Sequence, residues 1–174
     1  MYNTIIPHLN DGQIIVSITG YWSALRFNQL IKKHKKDVIL AETEILPYLT
    51  IDPTPGNIQV IKFKNKFGIA AFPASKNDIV MEKVGQLYPD RVYAMQNVLE
   101  TDASNLNCII HSPVILANLA FIDNANKNNG KVNFFKDPLI SEKVCRLMEP
   151  IDDDKLKFGQ IFGMDMQNFI DHNN

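Results

Sequence analysis

This chain of 174 residues contains only two cysteines and has almost no net charge, and each of these features excludes a class of protein. The two cysteines, Cys108 and Cys145, fall in apolar helical patterns and give no sign of the disulfide framework of small secreted proteins. The formal net charge of −1 gives no electrostatic reason to bind nucleic acid or an anionic membrane surface. The one basic cluster, residues 32–36, falls where a helix is expected to end, and cations there complement the helix dipole.

Long hydrophobic runs are also missing. No apolar run approaches the roughly 20 residues that a membrane-spanning helix requires. The first residues contain no basic segment followed by an apolar core, so they do not resemble a signal peptide. With 45% hydrophobic and 21% charged residues, the composition is typical of a globular domain. We therefore expect a cytoplasmic protein with reduced cysteines and with neither a nucleic acid nor a membrane as its partner.

Two ligand-binding signatures are missing as well. The pattern G-x-G-x-x-G, which places backbone amides and a helix N-terminus around a dinucleotide pyrophosphate, does not occur. The closest pair of glycines, Gly159 and Gly163, falls late in a predicted helix. Cys108-x-x-His111 has metal-ligand spacing, but no second pair of ligands lies near it in the sequence, so we predict no metal site.

The first 75 residues predict an α/β arrangement. Residues 13–19 and 37–41 are short runs rich in β-branched residues, typical of strands buried on both faces. Between them, residues 23–34 show helical periodicity, and strand–helix–strand order predicts a parallel pair. Residues 57–64 and 67–72 predict a hairpin that turns at Asn65-Lys66, and the proline- and glycine-containing stretch before them predicts a loop.

From residue 77 onward the periodicity is helical. Residues 97–121 predict one long, largely buried helix, residues 123–130 a polar loop, and residues 138–148 and 153–162 two further helices. On the long helix, Ser104, Asn107, His111 and Asn118 share one face. Buried polar groups are costly unless they are hydrogen-bonded, so this stripe needs partners, which are either protein groups or a ligand. Without further information, a hydrogen-bonded core histidine is the more common interpretation of His111.

Four stretches of sequence follow one another in an order known from one enzyme family. They are the strand ending at Gly20 before an aromatic helix start, Glu42-Thr43-x-x-Leu46-Pro47-Tyr48, the segment from Asn97-Val98-Leu99-Glu100-Thr101 through Asn105-x-Asn107-x-x-x-His111-x-Pro113 to Asn118, and Phe134-Phe135-Lys136-Asp137-Pro138. The third stretch is the most specific. Together they resemble the opine dehydrogenases (octopine and nopaline dehydrogenase-like enzymes) over nearly the whole chain.

The resemblance implies a fold and an activity. The fold is α/β followed by all-α: residues 1–75 would be the second half of a Rossmann-like dinucleotide-binding sheet, and residues 76–174 an incomplete helical domain that carries the catalytic and substrate-binding residues. Enzymes of this family join the amine of an amino acid to the carbonyl of a 2-oxo acid and reduce the resulting imine with NADH or NADPH. A homodimer is one assembly that the resemblance leaves open.

The resemblance also assigns site residues. His111 would be the acid/base residue, since an imidazole can release and regain a proton near neutral pH. Asn107, one helical turn earlier, would orient the imidazole or bind a substrate carboxylate, and Asn118 would be a second substrate contact. At the carboxyl ends of the two parallel strands, where ligands bind in open α/β sheets, Gly20 would allow close approach of the cofactor and Thr43 would contact substrate. Alternatively, Glu42-Thr43 is a strand terminus that caps a neighbouring helix.

Several departures from the family pattern are expected to matter. Besides the missing glycine motif, Ile51 stands where an arginine usually follows the Leu-Pro-Tyr motif, Ser112 separates His111 from Pro113, and the family's carboxylate partner for the histidine would lie beyond Asn174. We therefore expect an incomplete enzyme with little or no activity by itself. Two other functions stay open: a related dehydrogenase of 2-hydroxy or 2-oxo acids, and a non-catalytic interaction domain. The former usually has a helical lysine, and residues 92–125 contain none.

Overall fold

The computed structural model describes residues 2–127 and 139–172, which form two compact units, Met1–Ser104 and Asn105–Asn174. The first unit contains α1 (Tyr2–Ile5), β1 (Ile14–Ser17), α2 (Ser23–Lys33), β2 (Ile39–Thr43), β3 (Tyr48–Thr54), β4 (Asn57–Phe63), β5 (Phe67–Phe72), α3 (Asn77–Leu87), β6 (Val92–Ala94) and α4 (Val98–Ala103). Short 3₁₀ turns occupy Ile6–His8 and Ala74–Lys76. The second unit contains α5 (Asn107–Ala117), α6 (Leu119–Lys127), α7 (Glu142–Ile161) and α8 (Phe169–His172).

A four-stranded mixed sheet in the order β1-β2-β5-β6 organises the first unit. β1 and β2 run parallel, β2 and β5 antiparallel, and β5 and β6 parallel. Apolar side chains cover both faces: Leu40 packs in one cluster with Phe27 of α2, while Ala41 packs in another with Val80 of α3. Alternate residues of a strand point to opposite faces, so the apolar run of β2 can fill both clusters. The predicted strand–helix–strand unit is confirmed.

The predicted hairpin of residues 57–64 and 67–72 is wrong. β4 pairs instead with β3 in a separate two-stranded ribbon, and β5 pairs with β2 and β6. The predicted loop is wrong over most of its length, which forms strand β3, and only its end supplies the turn of this ribbon, with Gly56 at a positive φ of 85°. The difference has a physical reason: β5 is almost continuously buried, so it needs the centre of a sheet, whereas every described residue of β4 is exposed.

The long helix predicted for residues 97–121 is three helices. α4 ends at Ala103, and the amide N–H of Asn107 donates to Oδ1 of Asn105 in a turn that precedes α5. Ser104 therefore does not lie on the helix that carries His111. Among the described residues no single helix is long and apolar enough to cross a membrane; Val98–Ala117 and Leu119–Ala125 meet the criteria of length and composition only as a pair bent by 71°.

In the second unit, α5 and α7 pack around a small apolar core that includes Ile109, Val114, Val144 and Met148. The expectation that residues 97–121 are largely buried is wrong at its C-terminal end, where Leu116 is 67% exposed. The two predicted helices 138–148 and 153–162 form one helix, α7, with a proline inside it at position 150. The predicted loop at 123–130 is helical through Lys127, and the Phe-Phe-Lys-Asp-Pro stretch at 134–138 lies outside the described residues.

The predicted fold class, α/β followed by all-α, is confirmed. The compact units divide after Ser104 rather than after residue 75, because α3 and α4 both pack against strands of the sheet. The predicted assignment of residues 1–75 to a cofactor domain and 76–174 to a substrate domain is a division by function, and it stays a prediction.

Candidate functional site

Three consecutive polar residues are buried where β2 ends, next to the carboxyl end of the parallel strand β1. Glu42, Thr43 and Glu44 are exposed by only 0%, 1% and 2% of their surface. In open α/β sheets this edge is where ligands bind, and burying carboxyl groups costs free energy unless they find partners. The partners of each side chain therefore decide what this edge of the sheet can do.

The carboxyl group of Glu42 caps helix α2. Its Oε1 accepts a 2.9 Å hydrogen bond from the hydroxyl of Ser23 and a second one from the amide N–H of Ala24, in the first turn of the helix. Trp22 precedes the helix and provides no side-chain cap, so Glu42 takes that role from across the sheet. The alternative interpretation of Glu42-Thr43, a strand terminus that caps a neighbouring helix, is the one that Glu42 adopts.

Asp102, on α4, holds the turn that leads into α2. Its Oδ1 accepts a 2.9 Å hydrogen bond from the amide N–H of Trp22, and the amide of Tyr21 is a further donor. Tyr21 and Trp22 have φ values of 52° and 62°, in the left-handed region that costs residues with a Cβ about 1–2 kcal/mol each. The carboxylate of Asp102 therefore offsets part of the strain of this turn.

The carboxyl groups of Glu42 and Asp102 also act on each other. Burial, opposed by the hydrogen bond from Ala24 and reinforced by the charge of Asp102, raises the pKa of Glu42 to about 7. Burial likewise raises the pKa of Asp102. Two neighbouring carboxyl groups cannot both ionise without repulsion, which favours the protonated form of one of them below about pH 7.

Glu44 joins three strands through one oxygen. Its Oε1 accepts a 2.6 Å hydrogen bond from the amide N–H of Gly68 on β5 and another of 2.6 Å from the phenol of Tyr93 on β6. Burial and the negative charge of Glu44 raise the pKa of Tyr93 above its ordinary range. Asp102, Glu44 and Tyr93 were not predicted from the sequence as site residues; the signal for Glu44 was the run of polar residues directly after an apolar strand.

The structure gives Gly20 and Thr43 specific environments. A Cβ at Gly20 would lie 2.3 Å from Oε2 of Glu42 and 2.8 Å from its Cβ, so only glycine lets that carboxyl group approach the backbone. The hydroxyl of Thr43 is buried and has no hydrogen-bond partner among the described residues, while its carbonyl accepts from the amide of Gly20. The predicted roles in cofactor binding and substrate binding stay predictions.

The other predicted site residues lie in the second unit. Asn107 begins α5, His111 follows one turn later, and Asn118 ends the helix. His111 is exposed and Asn107 is half-buried. Both amide hydrogens of Asn118 are used by the protein, since Nδ2 donates to the carbonyls of Val114 at 2.8 Å and Leu139 at 3.0 Å. Among the described residues, no three metal-ligating side chains come together.

Comparison with known proteins gives consistent matches. Residues 94–174 match the family model for the α-helical domain of NAD/NADP octopine/nopaline dehydrogenases. An opine dehydrogenase of Arthrobacter sp. (strain 1C) is 24% identical over 164 residues, which are 93% of this chain and 44% of that protein. The chain is thus similar to the opine dehydrogenases, by the family model over residues 94–174 and by this relative over most of its length. The resemblance found in the sequence is therefore confirmed, and oxidoreductase chemistry with a nicotinamide cofactor is the chemistry of this family.

Solved structures share the fold. Yersinopine dehydrogenase without ligand superposes with a TM-score of 0.64 at 15% identity, over 95% of this chain and 42% of that one. Octopine dehydrogenase with NADH and L-arginine gives 0.58 at 12% identity, over 91% and 40%. A further octopine dehydrogenase structure, with NADH and agmatine, gives 0.61 at 12% identity over the same fractions. The chain thus spans less than half the length of the relatives it matches.

The described β1–α2 turn does not fit a dinucleotide phosphate. A phosphate at this position would need free amide N–H groups at the start of the helix, as glycine-rich loops provide. Here the amides of Trp22 and Ala24 already donate to Asp102 and Glu42, and a carboxyl pair repels anions. The β1–α2 turn therefore does not form the pyrophosphate site of NAD or NADP.

Proposed function

We propose that this chain supplies the substrate-binding and proton-transferring part of an NAD(P)-dependent opine dehydrogenase. The reaction would join the amine of an amino acid to the carbonyl of a 2-oxo acid and reduce the imine. When bound, the nicotinamide cofactor supplies the hydride. The observation that carries the proposal is the family match over residues 94–174, which contains His111 on an exposed face of α5, one turn after Asn107.

In this proposal His111 is the acid/base residue. An imidazole changes its charge near neutral pH, so it can hold or release the proton that imine formation and reduction require. Its exposure on α5 leaves the ring accessible to a substrate. Asn107 is close enough on the helix to orient the ring or to bind a substrate carboxylate. A homodimer stays a prediction.

The proposed substrate contacts differ in what they can offer. Asn118 uses both amide hydrogens within the protein, so it would act through its Oδ1 as an acceptor for a substrate amine. Thr43 would offer its hydroxyl. Because relatives have been solved with L-arginine and agmatine, basic amines are the first amino donors to test.

The test is a chimaera in which this chain replaces the matching 44% of the Arthrobacter enzyme. NADH oxidation is followed with pyruvate and a panel of amino acids that begins with L-arginine. We expect turnover that His111→Ala lowers by about 100-fold or more. The matched control is His34→Ala, which changes another exposed histidine and should leave turnover unchanged.

Two results would contradict the proposal. A chimaera that has the circular dichroism and elution volume of a folded protein but no turnover would remove the catalytic role. Turnover that persists in His111→Ala would remove the role of that histidine. In a separate experiment, NADH is titrated against the purified chain, and binding is followed by energy transfer from Trp22, the one tryptophan. We expect no tight binding. Saturable micromolar binding would show that the chain does hold the cofactor phosphates.

A further inference from the structure

Glu42 and Asp102 each use only one carboxyl oxygen to hold the turn that leads into α2. Oε1 of Glu42 is taken by Ser23 and Ala24, and Oδ1 of Asp102 by Trp22. The second oxygens, Oε2 of Glu42 and Oδ2 of Asp102, are buried and have no hydrogen-bond partner among the described residues. Two ionised carboxylates would leave both oxygens unsatisfied, whereas a single proton between them satisfies both.

We propose that Glu42 and Asp102 share one proton through these two oxygens, and that the shared proton fixes the turn of residues 20–24 as a pH-sensitive clamp. The clamp joins three elements: β2 contributes Glu42, α4 contributes Asp102, and the entry to α2 contributes the donors. Each carboxyl group holds the turn with one oxygen and its partner with the other. This inference does not depend on the proposed function, because no substrate or cofactor takes part in it.

The charges around the pair support a shared proton. Opposite Glu42, β1 and β5 place Ser17 and Ala70, which carry no charge. The α2 residues in contact with it, Ser23 and Ala24, are uncharged donors. Asp102 is the one charged group among the described residues that acts on Glu42, so no cation is at hand to neutralise a second negative charge.

The sign of the pH effect follows from the raised pKa values. The folded protein binds a proton that the unfolded chain releases at its ordinary carboxyl pKa of 4.5, so the stabilisation is present at acid pH. It is lost as the pH rises towards about 7, the folded pKa of Glu42. Above neutral pH the two charges repel, and the strained turn at Tyr21 and Trp22 loses its support.

Trp22 makes this change measurable, because it is the one tryptophan and it lies in the clamped turn. We expect its emission to change between pH 6 and pH 8 in the unmodified chain. In Glu42→Gln the change should disappear, since the amide keeps the acceptor for Ser23 and Ala24 and donates permanently to Asp102. This variant keeps all four histidines, so a transition caused by a histidine would persist and would overturn the proposal.

Stability measurements complete the test. At pH 8.5, Glu42→Gln and Asp102→Asn should each lower the unfolding equilibrium constant by on the order of 10-fold, with a smaller effect at pH 5.5. The double variant should be less stable than either single variant at both pH values, because two N–H donors then face each other. If Glu42→Gln does not fold, Asp102→Asn gives the same readout.

Two outcomes of these measurements would overturn the shared proton. Additive stabilisation in the double variant would mean that the carboxyl groups act independently. Stabilisation of the unmodified chain by Ca²⁺ or Mg²⁺ at pH 8.5, absent in Glu42→Gln, would mean that a cation rather than a proton bridges the oxygens.

Discussion

The phenol of Tyr93 donates a 2.6 Å hydrogen bond to Oε1 of Glu44, although the strands that carry or precede them, β6 and β2, are separated by β5. The amide of Gly68 on the intervening strand donates to the same oxygen. The carboxyl group that follows β2 therefore accepts hydrogen bonds from the next two strands of the sheet, β5 and β6. Such an arrangement is sensitive to the loss of any one donor.

Replacing Tyr93 by Phe should lower the free energy of unfolding by about 1–2 kcal/mol, because a hydrogen bond to a charged acceptor is lost while the ring is kept. Urea unfolding of the two proteins at pH 7 measures the difference. The matched control is Tyr48→Phe, which alters a half-buried phenol in the β3–β4 ribbon. Equal stability of Tyr93→Phe and the unmodified chain would show that the hydrogen bond contributes nothing.

The ionisation of Tyr93 provides a separate prediction. Burial, and then the negative charge of Glu44, hold the pKa of this phenol above its ordinary value of 10.0. Tyrosinate formation, followed by absorbance at 295 nm, should therefore differ between the unmodified chain and Tyr93→Phe only at the most alkaline end of the titration. A difference near pH 10 would contradict the hydrogen bond to Glu44.

Features that depend on neighbouring residues could be predicted from the sequence, whereas pairings between residues far apart in the chain could not. The strands β1 and β2 were predicted because apolar β-branched runs are local signals. The pairing of β5 with β2 was not predicted, because β2 lies well before β5 in the sequence and strand pairing depends on which strands can be buried side by side. The break between α4 and α5 was also missed, since the turn made by Asn105 and Asn107 competes with helix through a side-chain hydrogen bond.

The candidate site divides in the same way. His111 and Asn107 were identified because they lie in one continuous motif. Glu42 and Asp102 are 60 positions apart (102 − 42), and no periodicity connects a strand end with a helix that packs on it. Burial of both is a property of the folded chain, so their proton sharing could not be read from residue order.

Asn77 should be a strong determinant of stability in the first unit. Its Oδ1 accepts from the amide of Ala71 at 2.7 Å, and its Nδ2 donates to the carbonyl of Met95 at 2.8 Å. Asn77→Ala should lower the free energy of unfolding by about 2 kcal/mol, since backbone groups near the ends of β5 and β6 lose their partner. In chemical denaturation, the stability of Asn77→Asp should lie between those of the unmodified chain and Asn77→Ala, because aspartate keeps the acceptor but loses the donor.

Glycine should be required at position 20 but not at position 85. Gly20→Ala would force a Cβ to within 2.8 Å of the Cβ of Glu42, which we expect to cost about 1–3 kcal/mol. Gly85 lies inside α3 with nothing within 4 Å of an added Cβ, so Gly85→Ala should stabilise by about 0.5–1 kcal/mol. Thermal unfolding should therefore shift in opposite directions, and a stable Gly20→Ala would mean that Glu42 does not occupy this position.

Two variants of Asn118 can distinguish a structural role of this residue from a role in substrate binding. Asn118→Ala should destabilise the second unit by about 1–2 kcal/mol, because the carbonyls of Val114 and Leu139 lose a donor. Asn118→Asp should destabilise as much, since a carboxylate cannot donate, yet it keeps an acceptor for a substrate amine. Ser112→Ala, an exposed change on the same helix, should be neutral in urea unfolding.

In the chimaeric enzyme the same variants test the predicted substrate contact. If Oδ1 of Asn118 binds the amine, the KM for the amino acid should rise in Asn118→Ala and much less in Asn118→Asp, although both lose stability. A KM that rises equally in both would follow from the loss of the hydrogen bonds to Val114 and Leu139 alone. In that case Asn118 positions the end of α5 and makes no contact with substrate.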